Sequence, residues 1–290
     1  MILITGASGS VGKEVVLAMQ KTGAEFCAMY RSKEEAAKTP AGVKTAIADF
    51  RDKASLLRAL QGVERMFLVC SPIRELVELE GNAIDACKEA GVKLIVLNSA
   101  LGAGDYDKSF PSWHRRVEDK LKASGIAHVI LRPNGFMQNT ITYLAPSIRT
   151  QGAFYDAMGE AKTSYVDVRD VAAVAAKALT EEGHPGKIYE LNGPEAITQN
   201  DLAKRIATNA GREVKHMNIP REAHRKAMLD LGMPEWQVTA LIELQDYYVS
   251  RRAASVDGLI AELLKRPART IDEFLREYAD EFAHLHRAGQ

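Results

Sequence analysis

The first twelve residues carry the pattern with the clearest chemical meaning. Ile2-Leu3-Ile4 is an apolar run typical of a buried strand, and apolar residues at helical spacing follow from Val11 to Met19. Between them lies a glycine-rich turn. A strand, such a turn and a helix N-terminus present free backbone N–H groups where the helix dipole favours negative charge. The segment therefore predicts a site for the pyrophosphate of a dinucleotide, contacted by Gly6, Ala7, Ser8, Gly9, Ser10, Val11 and Gly12.

The residues after the second predicted strand indicate which dinucleotide the site would take. That strand, Glu25–Met29, ends just before Arg31, and no carboxylate appears before Glu34. Sites that prefer NAD usually carry an acidic residue about 20 positions past the glycines, bound to the ribose 2′-hydroxyl. The planar guanidinium of Arg31 suits a 2′-phosphate instead. We therefore predict NADPH as the cofactor; the alternative is that Arg31 is an ordinary solvated arginine.

Two further strand ends supply candidates for cofactor contacts. Asp49 and Phe50 follow the third predicted strand, where an adenine would lie, and we expect the Phe50 ring to flank it. Asp52, close by, is equally compatible with a helix N-cap. Small residues after the fourth strand would allow the middle of the cofactor to approach closely: Cys70, Ser71 and Pro72.

Strands and helices alternate through the part of the chain that must position these residues. Apolar runs predict strands at Ile2–Ile4, Glu25–Met29, Val43–Ala48, Arg65–Val69, Lys93–Leu97 and His128–Leu131. Helical spacing between them predicts helices at Val11–Lys21, Lys33–Lys38, Ala54–Gln61, Glu75–Ala90 and Trp113–Ser124. This alternation predicts an α/β fold built on a doubly wound, parallel Rossmann sheet with helices on both faces.

The alternation ends after Leu131. Further helices are predicted near Thr140–Arg149 and Val171–Leu179, and Lys187–Leu191 predicts one late strand of the sheet. From Thr198 onward the pattern is mainly helical, with a short strand compatible with Val214–Ile219. Three pairs have the spacing of a capping box: Ser32 with Glu35, Thr198 with Asp201, and Thr270 with Glu273.

No Pro/Ser-rich linker or internal repeat divides the chain, so we predict two interwoven domains. Residues 1–132 plus about 166–194 form the NADP-binding Rossmann domain, and about 133–165 plus 195–290 form a smaller, mainly helical substrate-binding domain. Ligands of open α/β sheets bind in the crevice at the carboxyl ends of the strands. We expect the cofactor and the substrate there.

Composition excludes several other classes of function. Lys+Arg and Asp+Glu balance at 38 each, so nothing indicates a nucleic-acid partner. No apolar run approaches the roughly 20 residues of a membrane span, and the N-terminal sequence lacks the basic start of a signal peptide. The three cysteines, Cys27, Cys70 and Cys87, form neither a metal motif nor a disulfide framework. We expect a cytoplasmic protein without metal, present as a monomer or a homodimer.

With these residues in hand, the chain resembles the NmrA-like branch of the atypical short-chain dehydrogenase/reductase family over nearly its whole length. The resemblance rests on ITGASGSVG at 4–12, Arg31, ADFRD at 48–52, LVCSP at 68–72, VLNSA at 96–100, VEDKLKASGIAHVILRPNGFMQN at 117–139, VDVRDVA at 166–172 and TIDEFLRE at 270–277. Within that branch it is most similar to NADPH-dependent quinone reductases and triphenylmethane-dye reductases. The resemblance implies hydride transfer from NADPH to a small conjugated molecule.

The catalytic pair of ordinary short-chain dehydrogenases is missing. Their Tyr-x-x-x-Lys lets a tyrosine donate a proton to a carbonyl, and none of the nine tyrosines here has a lysine four residues later. Two polar candidates replace it. Ser99 stands where the family's catalytic serine or threonine lies, at the end of the fifth strand, although it is also typical of a hydroxyl that binds local backbone. His114 is an imidazole suited to proton donation near neutral pH, or a surface histidine of its helix.

Without a strong acid, hydride transfer needs an acceptor that is already electron-poor, such as a quinone or a conjugated dye. Four residues are of the type that lines a planar slot for it: Phe136, Met137, Tyr143 and Trp113. The alternative function is a non-catalytic NADP(H)-binding redox sensor that acts through a protein partner. Reduction of carbon–carbon or imine bonds, as in the related isoflavone and lariciresinol reductases, is less favoured because their catalytic lysine has no clear counterpart here.

Overall fold

The computed structural model describes residues 1–283, and its contacts divide the chain into two compact units. The first unit comprises Met1–Pro133 and Val168–Leu191, and the second comprises Asn134–Asp167 and Asn192–Gln290. Residues 284–290, included in the predicted second domain, lie outside the described residues. The division at residues 132, 166 and 194 stays a prediction about independent domains. Limited proteolysis tests it, because a stable fragment beginning near residue 195 would contradict interwoven domains.

The first unit is built on one parallel sheet of seven strands, which confirms the predicted fold class. The strands are β1 (Ile2–Ile4), β2 (Phe26–Tyr30), β3 (Lys44–Ile47), β4 (Arg65–Leu68), β5 (Leu94–Asn98), β6 (Ala127–Pro133) and β9 (Ile188–Leu191). Their order in the sheet is β3-β2-β1-β4-β5-β6-β9, with the reversal between β1 and β4 that is typical of a doubly wound sheet. The central strands are buried along their length because helices cover both faces.

Six helices connect these strands: α1 (Ser10–Gln20), α2 (Lys33–Ala36), α3 (Lys53–Ala59), α4 (Leu76–Ala90), α5 (Ser109–Ser124) and α7 (Val168–Thr180). Asp52 is the N-cap of α3 and accepts a hydrogen bond from the Ser55 N–H at 3.1 Å. Helix α5 begins four residues before the predicted Trp113, because Pro111 lies in its first turn, where a proline costs no helical hydrogen bond.

The second unit combines helices with two small sheets. β7 (Ala153–Asp156) pairs in parallel with β11 (Lys215–Asn218), and β8 (Lys162–Thr163) pairs antiparallel with β10 (Ile197–Thr198). Of these four strands only β11 was predicted; β8 and β10, of two residues each, are too short to show a strand period. The helices are α6 (Ala145–Gln151), α8 (Gln199–Ala210), α9 (Arg221–Asp230), α10 (Glu235–Val249), α11 (Leu259–Leu264) and α12 (Ile271–Glu277), with a π-helical turn at Thr140–Leu144.

Two of the three predicted capping boxes are confirmed, at Thr198 with Asp201 and at Thr270 with Glu273. The third is half correct. Ser32 accepts the N–H of Glu35 at 3.2 Å, but the Glu35 carboxylate accepts the backbone N–H of Arg31 instead of that of Ser32.

None of the helices described over residues 1–283 combines the length and the apolar character that crossing a bilayer would require. Over the same residues, no group of histidine, cysteine or acidic side chains is arranged to hold a metal ion.

Candidate functional site

The glycine turn, residues Gly6–Gly12, joins β1 to α1 as the sequence predicts. Helix α1 begins after Gly9, and no side chain caps its N-terminus. The backbone N–H groups of its first turn therefore keep their capacity to bind an anion, and the helix dipole supports a negative charge there. Two groups fix the turn in place: the Gly9 N–H donates to the Gly6 carbonyl at 2.9 Å, and the Thr5 hydroxyl donates to the Phe67 carbonyl of β4 at 3.0 Å.

Gly12 is the position where the turn tolerates no side chain. A Cβ there would lie 2.1 Å from the Gly6 carbonyl oxygen and 2.9 Å from that of Thr5. Gly6 itself has a φ of 59° and packs against Val69, whose Cγ1 would be 2.6 Å from an added Cβ. The turn is therefore held tightly between α1 and the end of β4, and its shape is the cradle that a pyrophosphate requires.

Arg31 lies directly after β2, where the ribose of a bound dinucleotide is expected. Its side chain is 68% exposed, and Nη2 lies 3.5 Å from the Glu35 carboxylate. The same carboxylate also accepts the Arg31 backbone N–H. The guanidinium is thus accessible to a 2′-phosphate, but Glu35 competes for it. The sequence indicated Glu35 only as part of a capping box and did not predict its ion pair with Arg31.

The other predicted cofactor residues differ in accessibility. Phe50 packs in the hydrophobic core of the first unit with 9% of its surface exposed, while Asp49 is half-buried and accepts the Arg51 N–H at 2.8 Å. Ser71 and Pro72 are exposed after β4. Burial, together with the nearby Glu80 carboxyl, raises the pKa of the half-buried Cys70 thiol to about 12, so Cys70 is no nucleophile.

Glu80, on α4, is a buried acid that the sequence did not single out. It is fully buried, and neither carboxyl oxygen has a hydrogen-bond partner among residues 1–283. Burial raises its pKa well above the ordinary value of 4.5, which favours the neutral acid.

Ser99 forms a buried polar cluster with two residues that the sequence did not indicate, Glu118 on α5 and Arg132 on β6. We call these three residues the Ser99 cluster. The Ser99 hydroxyl donates to Glu118 Oε1 at 2.7 Å, and Arg132 donates to both carboxylate oxygens, at 2.9 and 2.7 Å. Because that hydroxyl proton already binds a carboxylate, and because Ser99 is 2% exposed, the geometry offers a substrate no proton from Ser99.

The charge of Glu118 is maintained despite burial. Desolvation by itself raises the Glu118 pKa, but hydrogen bonds from Arg132 and Ser99 and the charges of Arg132 and Lys122 outweigh it, so the pKa lies below the ordinary value. No spacing pattern in the sequence pairs these residues, since 14 positions separate Glu118 from Arg132.

His114 lies one helical turn before Glu118 and is 7% exposed. Desolvation lowers its pKa to about 4, against a smaller opposite effect of Glu118. Burial therefore favours the neutral imidazole, and proton donation by His114 near neutral pH stays a prediction that kinetics must test. Its Nδ1, like Asn98 Oδ1 at the end of β5, is buried without a hydrogen-bond partner among residues 1–283.

The four predicted substrate residues fall in both units. Trp113 lies in the first unit, half-buried, with its indole edge-to-face against Phe110 at 5.0 Å between centroids. In the second unit, Phe136 is half-buried and Tyr143 is 54% exposed. Met137 is 1% exposed and belongs to the core around Phe154, which removes it from the wall available to a substrate.

A family model described as the NmrA-like family matches residues 1–275. The chain belongs to the NmrA-like family. Among curated proteins it is 36% identical over 284 residues to an NAD(P)H azoreductase of Xenophilus azovorans, covering 97% of this chain and 99% of the relative. It is 32% identical over 278 residues to quinone oxidoreductase 2 of Escherichia coli (strain K12), covering 94% and 96%.

Two solved structures share the fold of this chain. The Escherichia coli NADPH-dependent quinone oxidoreductase in complex with NADPH matches with a TM-score of 0.89 at 30% identity, over 96% of this chain and 99% of that one. The Citrobacter sp. triphenylmethane reductase complexed with NADP(H) matches with a TM-score of 0.87, over 96% of this chain and 100% of that one; at 23% identity it supports the fold alone. The predicted family is thereby confirmed.

Proposed function

We propose that this protein is an NADPH-dependent oxidoreductase that transfers hydride to a conjugated, electron-poor small molecule such as a quinone or an azo compound. The family and the relatives, an NAD(P)H azoreductase and a quinone oxidoreductase, support this reaction class. The observation that carries it in this chain is the glycine turn. Its uncapped helix N-terminus and the crowding at Gly12 fit a dinucleotide pyrophosphate, and Arg31 beyond β2 fits a 2′-phosphate.

The polar residues at the end of β5 determine which acceptors suit the enzyme. NADPH, when bound, supplies the hydride, and each two-electron reduction of the acceptor also requires one proton. The Ser99 hydroxyl donates its proton to Glu118, and His114 is neutral above about pH 4, so neither side chain is poised as a strong acid. A quinone or azo acceptor can take the hydride first and its proton from water afterwards, whereas a simple ketone depends on a general acid.

The protein's contribution is then mainly to position the two reactants and to exclude water. Trp113, a half-buried aromatic side chain of the first unit, is the proposed contact for the planar acceptor. Asn98 Oδ1 and His114 Nδ1, which have no partner among residues 1–283, are the proposed hydrogen-bonding atoms for the bound reactants.

The test is an anaerobic assay of NADPH oxidation with menadione, phenanthrenequinone, methyl red and cyclohexanone. We expect turnover with the first three and none above background with the simple ketone. Tight binding of NADPH without turnover of any acceptor would contradict the reductase and favour the redox-sensor alternative.

Two finer statements complete the proposal. The free cysteines and the absence of a metal motif in the sequence support a reducing, cytoplasmic setting, which fractionation of the native host would test. A monomer or a homodimer is the proposed assembly, and sedimentation velocity would distinguish them.

A further inference from the structure

A cavity of about 410 Å³ lies in the first unit beside helices α4 and α5. Trp113 and Arg116, one helical turn apart on α5, form one side of it. The start of α4 forms the other side, with Arg74, Glu75, Val77 and Glu78. The Trp113 indole, which also packs against the core of the first unit, thus shares a cavity with two guanidinium groups and two carboxylates.

The arginines and carboxylates of this cavity do not form ion pairs with one another within residues 1–283. Neither Arg74 nor Arg116 forms an ion pair within residues 1–283, although carboxylates line the same cavity. The carboxylates have a partial counter-charge of their own, because Glu75 is the N-cap residue of α4 and Glu78 lies in its first turn, where the helix dipole is positive. The guanidiniums have no such compensation, so the cavity favours an anionic ligand group.

The cavity also lies on the segment that leaves the cofactor turn. Val69, just after β4, packs against Gly6 of the glycine turn, and Arg74 follows five residues later. Ser71 and Pro72, which we predict to contact the cofactor, lie between these two residues. Segments that follow the carboxyl ends of parallel strands are where ligands of such sheets bind.

We propose that this cavity receives the acceptor and selects conjugated compounds that bear a carboxylate or sulfonate. The planar ring stacks on the Trp113 indole, and Arg74 and Arg116 bind the anionic substituent. Planar, forked guanidiniums match both oxyanions and aromatic rings, and an indole offers a large face for stacking. The inference rests on the proposed reductase function, since it names the acceptor class of that enzyme.

The test uses methyl red, an azo dye with a carboxylate, and its neutral methyl ester. Calorimetric titration in the presence of NADP⁺ measures binding without turnover. We expect methyl red to bind at least about 5-fold more tightly than the ester, and Arg74→Ala and Arg116→Ala each to weaken methyl red by about 5- to 10-fold with little change for the ester. Trp113→Ala should weaken both dyes.

Two further variants make the comparison specific. Glu78→Gln removes a negative charge from the cavity and should tighten methyl red by about 2-fold. Arg58→Ala removes an exposed arginine of α3, outside the cavity lining, and should leave the affinity for both dyes unchanged. Equal affinity of the protein for methyl red and its ester would overturn the proposal. So would an affinity for methyl red that is unchanged in both Arg74→Ala and Arg116→Ala. So would a cationic dye, malachite green, that binds more tightly than methyl red and loses affinity in Glu78→Gln.

Steady-state assays with NADPH separate this inference from the proposed function. Arginine-dependent binding together with arginine-dependent kcat/KM for methyl red supports both. Arginine-dependent binding without NADPH oxidation by any acceptor contradicts the reductase while supporting the anion-binding cavity. Turnover of methyl red that is unchanged in Arg74→Ala and Arg116→Ala supports the reductase and contradicts the inference.

Discussion

The glycine turn and the Ser99 cluster lie at the ends of two strands of one sheet, β1 and β5, but their polar groups are disposed in opposite ways. In the glycine turn, the backbone N–H groups at the start of α1 have no side-chain cap. In the Ser99 cluster, the hydroxyl, the carboxylate and the guanidinium bind one another at 2.7 to 2.9 Å. Unpaired groups can bind a ligand, whereas groups that pair with each other stabilise the fold. We therefore expect substitutions in the glycine turn to change ligand binding and substitutions in the Ser99 cluster to change stability.

The largest effect is expected where the Ser99 cluster is broken. Arg132→Ala leaves the Glu118 carboxylate, 1% exposed, without its main partner. Loss of one member of a buried ion pair costs about 3–5 kcal/mol, so the free energy of unfolding in urea at pH 7 should fall by that amount. Arg58→Ala, which removes an exposed arginine, should cost no more than about 0.5 kcal/mol. Equal costs for the two variants would contradict a stabilising role of the cluster.

The pH dependence of this effect has a definite sign. The folded-state pKa of Glu118 is lowered, so its ionised form contributes stability that is present above the unfolded pKa of about 4.3 and is lost as the pH falls through the lower folded pKa. The difference between wild type and Arg132→Ala should therefore shrink in acid.

The next effect concerns the glycine turn. In Gly12→Ala the new Cβ meets a carbonyl oxygen at 2.1 Å, so α1 must move away from the turn. We expect NADPH affinity, measured by calorimetry, to fall by more than about 100-fold. The control is Arg58→Ala, which removes an exposed arginine of α3 outside the turn and should leave NADPH affinity unchanged. NADPH binding by Gly12→Ala at wild-type affinity would contradict the prediction that this turn binds the pyrophosphate.

The same contrast explains which features the sequence could predict. The glycine turn is made by consecutive residues, and its physical requirements, a positive φ at Gly6 and close packing at Gly12, leave glycine as the residue that meets them. The central strands of the sheet were predictable because buried parallel strands are apolar along their whole length. Both kinds of information are local.

The Ser99 cluster was not predictable, because its members come from β5, α5 and β6 and meet only in the folded chain. Ser99 was singled out for a catalytic role that its hydrogen bond to Glu118 does not favour. His114 was expected to titrate near neutrality, but desolvation, which depends on tertiary packing, lowers its pKa to about 4. Met137 was expected to line a substrate site, and the core of the second unit takes it instead. Strands β8 and β10, of two residues each, were too short to predict, and β7 was missed as well.

A smaller effect is expected at the ribose end of the cofactor site. Arg31→Ala should lower NADPH affinity by about 10- to 30-fold and leave NADH affinity nearly unchanged, since a charge-assisted bond to the 2′-phosphate is lost. Glu35→Gln releases the guanidinium from its 3.5 Å ion pair and should raise the preference for NADPH over NADH by about 3-fold. Equal affinity of the unaltered protein for the two cofactors would refute the assignment of Arg31.

The smallest effect is expected at His114, whose protonation state decides whether it can donate a proton to the acceptor. Its pKa of about 4 keeps the imidazole neutral from pH 5 upward. The pH profile of kcat for an electron-poor quinone should therefore have the same shape between pH 6 and 8 in the wild type and in His114→Ala. His114→Ala should lower kcat by about 10-fold or less, because a hydrogen bond from a buried nitrogen is lost but no proton donor is removed. His114→Gln, which keeps a hydrogen-bonding side chain, should recover part of that loss. A loss above about 1,000-fold with NADPH binding intact falls within the range of a true general acid. That result would place proton transfer at His114 and make simple ketones possible substrates.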